Sequence, residues 1–323
     1  MSLNSDFESA LNDVYSFFSG YEMPVKSLSG KYLFCHFVGN GEGQERIHFA
    51  ASKDGYNFKP LNNNEPIIIQ TKGKKCVRDP YIMRGQDGCF YIIGTDMKCT
   101  EGWTSNHALV TWKSADLVNW TDETIIDMRD FAEYADTTRA WAPQAIWDAE
   151  KGAYMVYWAN STVRNDVAAM YYAYTEDFKK ITEPKLLYER VGIQTIDGDI
   201  TYNKDNGYFY LYFKHDEDQT IAYVKSESLT GPYEDNPVVV SLSPHGVEGS
   251  SMYQVTGTDS WIMIMDEYST GNFFMQMTTD MENFRAVAPE DYSFDNVRPR
   301  HGSVMAITDE EYERLVEAFG IGE

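Results

Sequence analysis

Five short openings carry the residues of this chain best suited to moving protons. They are Asp79-Pro80-Tyr81-Ile82, Ala142-Pro143-Gln144-Ala145-Ile146, Asp197-Gly198-Asp199-Ile200, Glu248-Gly249-Ser250-Ser251-Met252 and His301-Gly302-Ser303-Val304-Met305. Three acids and a histidine take four of the five leading positions. Carboxylates brought together near one point repel, so their proton affinities must separate. One then stays ionised and serves as a base, while another keeps its proton and serves as an acid. That division of labour is what hydrolysis of a glycosidic bond requires.

Each acid also has a plainer explanation. Asp79 before Pro80 is a common way to start a turn. Asp197 and Asp199 lie two apart, so on a regular strand both face the same side, and either could be the working residue. Glu248 sits between Gly246 and Gly249, which leave room for a ligand near the backbone. His301, taken alone, reads as a hydrogen-bonded core histidine. The common register of the five openings favours a shared role over five coincidences.

The openings lie 51–63 residues apart, the near-even spacing that a radial repeat needs. After four of them comes an aromatic and β-branched run: Phe90-Tyr91-Ile92-Ile93, Tyr154-Met155-Val156-Tyr157-Trp158, Tyr208-Phe209-Tyr210-Leu211-Tyr212-Phe213 and Trp261-Ile262-Met263-Ile264-Met265. A polar-to-aromatic turn also recurs, as in Lys53-Asp54-Gly55-Tyr56-Asn57-Phe58 and Thr279-Asp280-Met281-Glu282-Asn283-Phe284. The expected fold is all-β, a five-bladed β-propeller forming a single catalytic domain over residues 1–323. Strands around Tyr32–Phe37 and Ile47–Ala51 lack an opening strand, and His301 opens a strand with no successors. The two chain ends are therefore expected to close the ring within one blade. Short terminal helices should flank it. One belongs to an N-terminal helical extension over 1–30, with Phe7, Leu11, Val14 and Phe18 on one face. The other spans 308–320, where Thr308-Asp309-Glu310-Glu311 is a capping-box pattern.

Lys and Arg total 27 against 50 acids, a net charge of −23, which repels nucleic acid and anionic membranes. This surface suits a neutral substrate, with divalent cations as companions, and glycoside chemistry at the acids would make that partner a neutral oligosaccharide or polysaccharide side chain. No apolar run of about 18 residues exists, so no membrane span is expected. Met1-Ser2-Leu3-Asn4 shows no basic-then-apolar leader. The expected location is the cytoplasm, or outside it for a protein whose signal has been removed. Of four cysteines, none forms a Cys-x-x-Cys pair, which argues against zinc. Cys35 and Cys89 read as small core residues, and Cys76 and Cys99 as candidates for a disulfide.

The motifs Arg78-Asp79-Pro80-Tyr81-Ile82, Trp141-Ala142-Pro143-Gln144, Ile196-Asp197-Gly198-Asp199-Ile200, Val247-Glu248-Gly249 and Arg300-His301-Gly302-Ser303 occur in an order and spacing that resembles glycoside hydrolase family 43. The resemblance runs from about Tyr32 to Leu315. It implies a five-bladed propeller that inverts the anomeric centre without a cofactor in the chemistry. It further implies Asp79 as base, Asp197 as the residue that tunes the acid, and Glu248 as the acid. Trp141, Arg300 and His301 become substrate-binding residues, with His301 beside a calcium ion or water on the axis. Gly198 and Ser250 stand where the family often has Pro. The sugar implied is α-L-arabinofuranose, with β-xylosidase and β-galactosidase activities as alternatives on the same scaffold. A related fructan-cleaving family shares Arg-Asp-Pro, but its Asn-Asp-Pro-Asn-Gly and Glu-Cys motifs are missing here. A non-catalytic sugar-binding propeller is the alternative from another class.

Overall fold

The structure is a computed structural model that describes residues 28–322. Its strands form five four-stranded antiparallel sheets. In chain order, β1 (Lys31–His36), β2 (His48–Ser52) and β3 (Phe58–Pro60) come first. Blade 1 follows with β4 (Val77–Arg84), β5 (Phe90–Asp96), β6 (Ala108–Ser114) and β7 (Trp120–Asp127). Blade 2 holds β8 (Thr137–Asp148), β9 (Ala153–Thr162), β10 (Ala169–Thr175) and β11 (Lys185–Tyr188). Blade 3 holds β12 (Thr195–Asn203), β13 (Tyr208–His215), β14 (Thr220–Ser226) and β15 (Val238–Val239). Blade 4 holds β16 (Glu248–Gln254), β17 (Trp261–Glu267), β18 (Asn272–Thr278) and β19 (Arg285–Ala286). Last come β20 (Gly302–Ile307) and the helix α1 (Asp309–Phe319).

Blade 5 is assembled from both ends of the chain, in the order β20-β1-β2-β3. Tyr32 pairs with Ala306 and Phe34 with Val304, as the incomplete terminal repeats predict. Joining the ends this way leaves no inner strand without a partner. The second strand of each blade is covered on both faces by neighbouring blades. Buried strands of this kind read as continuous apolar runs rather than alternating ones, and every residue of β5 is buried.

The core is divided among the blade interfaces. One cluster joins Leu33, Phe49, Val77 and Ile92 across blades 5 and 1. Four further clusters fill the interfaces between blades 1 and 2, 2 and 3, 3 and 4, and 4 and 5. The recurring turn has a common chemistry. Asp54 Oδ1 accepts from the Tyr56 and Asn57 amides, Asp116 Oδ1 from Val118 and Asn119, and Asp280 Oδ1 from Glu282 and Asn283.

Thr308 caps α1 through the Glu311 amide, and Glu311 returns the bond to the Thr308 amide. Tyr312 and Leu315 then pack into the blade 5–blade 1 cluster. Arg84 ties the helix to blade 1 with two bonds of 2.7 Å to Glu311. The expected N-terminal helix on Phe7, Leu11, Val14 and Phe18 lies outside the described residues. The anticipated disulfide is not formed: Cys76 and Cys99 are free thiols. Cys99 Sγ donates instead to the Asn40 carbonyl. Cys89 precedes β5 and is only half-buried, so Cys35 is the better example of a core thiol.

Blade closure depends on one close approach. A Cβ on Gly302 would lie 2.1 Å from the Cys35 carbonyl oxygen. Gly302→Ala should therefore force β20 and β1 apart and cost about 1–3 kcal/mol, the usual range for overpacking. Urea unfolding measures it, and an unchanged midpoint would show that this contact yields freely.

Candidate active site

The inner strands β4, β8, β12 and β16 are all interrupted at the same level. Two residues oppose one on the second strand at Asp79-Pro80, Ala142-Pro143, Asp197-Gly198 and Gly249-Ser250. These are β-bulges, which bend a strand and re-aim its side chains. The first residue of each is left-handed, with φ of 49° at Asp79, 47° at Ala142, 57° at Asp197 and 58° at Gly249. Such a backbone is strained for any residue but glycine and clusters at functional sites.

The bulge corrects two sequence expectations. Glu248 does not occupy the position of Asp79 and Asp197. It lies one residue earlier, in the paired position that Arg78, Trp141 and Ile196 take in the other blades. Nor do Asp197 and Asp199 share a face, because the bulge between them breaks the period of two. Asp197 Oδ2 accepts from the Gly249 amide. Asp199 Oδ2 accepts instead from the Met252 amide at 2.7 Å. Ser303 and Ser251 do the same for Ile82 and Val304, so Asp199 belongs to a ring of ties between inner strands. It also borders a cavity of roughly 420 Å³ at the far ends of those strands, lined in part by Leu28, Trp147, Met252, Trp261 and Met305.

His301 joins the two bulge aspartates. Its Nδ1 lies 3.4 Å from Asp79 and 4.0 Å from Asp197. Burial disfavours the imidazolium, but Asp197 and Asp79 outweigh it and raise the His301 pKa to about 9. Burial likewise opposes ionisation of Asp79. His301, Arg78 and Thr95 together overcome it and hold that carboxyl below its ordinary value. Thr95 donates to Asp79 Oδ2 and accepts from the Ala142 amide, locking the carboxylate to blade 2. Asp197 goes the other way. Burial raises it most, His301 opposes, and the charges of Glu248 and Asp79 add to the rise, giving a pKa of about 6.

Glu248 is held by two cations. Arg300 Nη2 lies 3.2 Å from Oε1 and Lys214 Nζ lies 3.0 Å from Oε2. Arg300 is itself anchored by Asp266 at 2.6 Å. Trp141 stands beside the mouth with the Arg139 guanidinium over its ring at 5.3 Å and Trp103 edge-on at 6.3 Å. Its indole N–H is buried and meets no protein acceptor among the described residues. A ligand oxygen would satisfy it.

All the residues selected from sequence, namely Asp79, Trp141, Asp197, Glu248, Arg300 and His301, therefore gather at one end of the propeller. The sequence reading missed Thr95, Lys214 and Asp266. Each lies on a second strand opposite the residue before a bulge. The available signal was a polar residue closing an otherwise apolar strand, as in Leu211-Tyr212-Phe213-Lys214 and Ile264-Met265-Asp266.

Calcium takes six to eight oxygen ligands. Among the described residues no group of three or more His, Cys, Asp or Glu side chains is arranged to hold a metal. His301 turns Nδ1 toward two carboxylates, the orientation in which a histidine commonly holds its second ring nitrogen for a cation or water.

A family model described as "probable glycosyl hydrolase domain", one related to glycoside hydrolase family 43, matches residues 29–313. An α-L-arabinofuranosidase of Bifidobacterium longum subsp. longum is 27% identical over 236 residues. That match covers 62% of this chain and 22% of the relative, so it spans about a fifth of the curated protein. An α-L-arabinanase of Cellvibrio cellulosa, solved with arabinohexaose, has a TM-score of 0.57 at 14% identity, over 90% of this chain and 94% of that one. A β-xylosidase/α-arabinofuranosidase from a compost metagenome, solved with xylotriose in a calcium-free form, also scores 0.57, at 12% identity, over 80% and 92%. At these identities the solved structures share the fold.

The separation of Asp199 from the mouth has a measurable consequence. Burial raises its pKa from the ordinary 3.8 to about 7. A carboxyl raised on folding contributes stability that is complete below about pH 4 and is lost as pH rises through 7. Asp199→Asn keeps an acceptor for the Met252 amide and cannot ionise. Relative to the parent, it should gain roughly 1–4 kcal/mol between pH 4.5 and 7.5. Urea unfolding at both pH values tests this, and a difference independent of pH would contradict the raised pKa.

Proposed function

Because the chain belongs to the glycosyl hydrolase family related to glycoside hydrolase family 43, we propose that it is an inverting exo-glycosidase of plant-derived oligosaccharides, acting as an α-L-arabinofuranosidase. The observation that carries the reading is the pair of bulge aspartates facing His301 with opposite proton affinities. Asp79 is held ionised, as a base must be. Asp197, at about 6, exchanges its proton near neutrality. Glu248 is the acid. Its neighbour Gly249 donates a backbone bond to Asp197, which brings the tuning residue to the acid's own strand.

In this reading Glu248 gives its proton to the glycosidic oxygen as the bond to the anomeric carbon breaks. A water on the opposite face adds to that carbon, and Asp79 takes the proton the water gives up. Trp141 forms a wall for the sugar ring and offers its unpaired N–H to a hydroxyl. Arg300 and His301 line the same pocket. No step needs a metal. One propeller domain carries all these residues. The choice of arabinofuranose is supported by the bifidobacterial relative; β-xylosides and β-galactosides are the alternatives, since loops select the sugar on a shared scaffold.

Hydrolysis of p-nitrophenyl α-L-arabinofuranoside, β-D-xyloside and β-D-galactoside identifies the sugar, and we expect the arabinofuranoside to be cleaved fastest. Glu248→Gln should lose on the order of 10²-fold or more on unactivated glycosides and less on aryl glycosides. Equal losses on both would remove Glu248 from the acid role.

Asp79→Ala should abolish turnover, and NMR of the first product should show the inverted anomer. Such a site needs its acid and base carboxyls about 6.5–9.5 Å apart, to admit the water. A product of retained configuration would overturn the mechanism.

A further inference from the structure

Lys214 has no role in the reading above, and its position calls for one. It closes the apolar run of β13 and pairs with Ile196, the residue before the Asp197 bulge. The equivalent places hold Thr95 in blade 1, Ala159 in blade 2 and Asp266 in blade 4. Only 11% of the Lys214 side chain is exposed. Burying an ammonium is costly unless it is paired. Its close partners are few: Glu248 at 3.0 Å, the more exposed Asp216 at 3.7 Å and the Tyr268 ring at 4.7 Å. The Asp197 carboxylate also acts on it through space. Burial works against its charge, but Glu248 and Asp197 more than restore it.

Arg300 differs in its charge balance. It shares Glu248, but its Nε is engaged by the fully buried Asp266. The two acids of blade 4 thus stand against one guanidinium, and Lys214 supplies the second positive charge. It reaches from blade 3 to do so.

We propose that Lys214 is a positioning residue for proton transfer from Glu248, holding and neutralising the carboxylate that forms when the proton leaves. This rests on Glu248 being the acid. As the bond between the glycosidic oxygen and the anomeric carbon breaks, its electron pair stays with the oxygen, which takes the Glu248 proton. Glu248 becomes an anion. Lys214 keeps all its protons and meets that anion with a charge-assisted hydrogen bond, stronger than any it makes to the neutral acid. The contribution therefore grows with the degree of proton transfer in the transition state. It matters most for leaving groups that need full protonation.

The test is a leaving-group series: aryl α-L-arabinofuranosides with phenols of graded acidity, together with methyl α-L-arabinofuranoside. If the screen favours xylose or galactose, the matching glycosides replace them. Lys214→Met should lose about 10–100-fold in kcat/KM on the methyl glycoside and less than about 3-fold on the p-nitrophenyl glycoside. The plot of log kcat/KM against leaving-group pKa should steepen. Lys214→Arg, which keeps the charge, should recover part of the methyl glycoside rate. Lys214→Gln should not, and it stands in for the Met variant if that variant melts early. A slope equal to the parent's, whether the rates fall together or not at all, overturns the proposal. Glu248→Gln in the same series separates the two ideas. If its slope also matches the parent's, Glu248 is not the acid. If it alone steepens, the acid stands and Lys214 has no part in the transfer.

Discussion

The site depends on one backbone event, the bulge repeated at one level of four inner strands. A regular strand at this level would turn alternate side chains into the neighbouring blades. Two residues against one rotates the chain, so that Asp79 and Asp197 meet the same imidazole. The left-handed φ at both aspartates is unfavourable locally and is held by the ladders on either side. Blade 4 puts Gly249 at this position, and the reason is contact rather than conformation alone. A Cβ there would come within 2.3 Å of the His301 ring. The histidine can approach both aspartates because blade 4 yields it that space.

Charge balance then decides what each acid can do. The chain carries a net −23, yet its mouth holds a local balance of both signs. Asp79 has Thr95 and shares His301 and Arg78. Glu248 shares Arg300 with Asp266. Asp197 has the Gly249 amide and a more distant His301, and its proton affinity rises where that of Asp79 falls. The same type of side chain, on equivalent bulges, acquires opposite behaviour from neighbours a few ångströms apart.

Much of this was legible in the sequence. Five openings, apolar second strands and matched incomplete repeats at the two ends led to the propeller and to the pairing of β1 with β20. The capping box at Thr308 forms as written. Register at the mouth was harder to read, because a bulge adds a residue without changing the composition around it. Asp197 and Asp199 look equivalent on a regular strand, and Glu248 looks equivalent to both. Only hydrogen-bond pairing separates them. Thr95, Lys214 and Asp266 escaped notice because each is the first of two polar residues that finish an apolar strand, with no local motif. Their meaning comes from a neighbour more than 15 residues away in sequence or from another blade.

The off-register place of Glu248 has its own logic. An aspartate on a bulge is short, and its backbone is fixed in an uncommon conformation, which suits a group that must hold one geometry. Glu248 sits instead on the regular ladder, opposite Asp266. Its longer side chain reaches the same mouth from one residue earlier, with an extra rotatable bond. That freedom would blur the direction of any proton it carried. Arg300 on one oxygen and Lys214 on the other limit it, one from the strand entry of blade 5 and one from blade 3. The two aspartates are therefore placed by backbone geometry and the glutamate by charge. In the proposed mechanism, a site built this way keeps its base and its tuning residue rigid, while the group that must follow a departing oxygen is held by interactions that can lengthen and shorten as it moves.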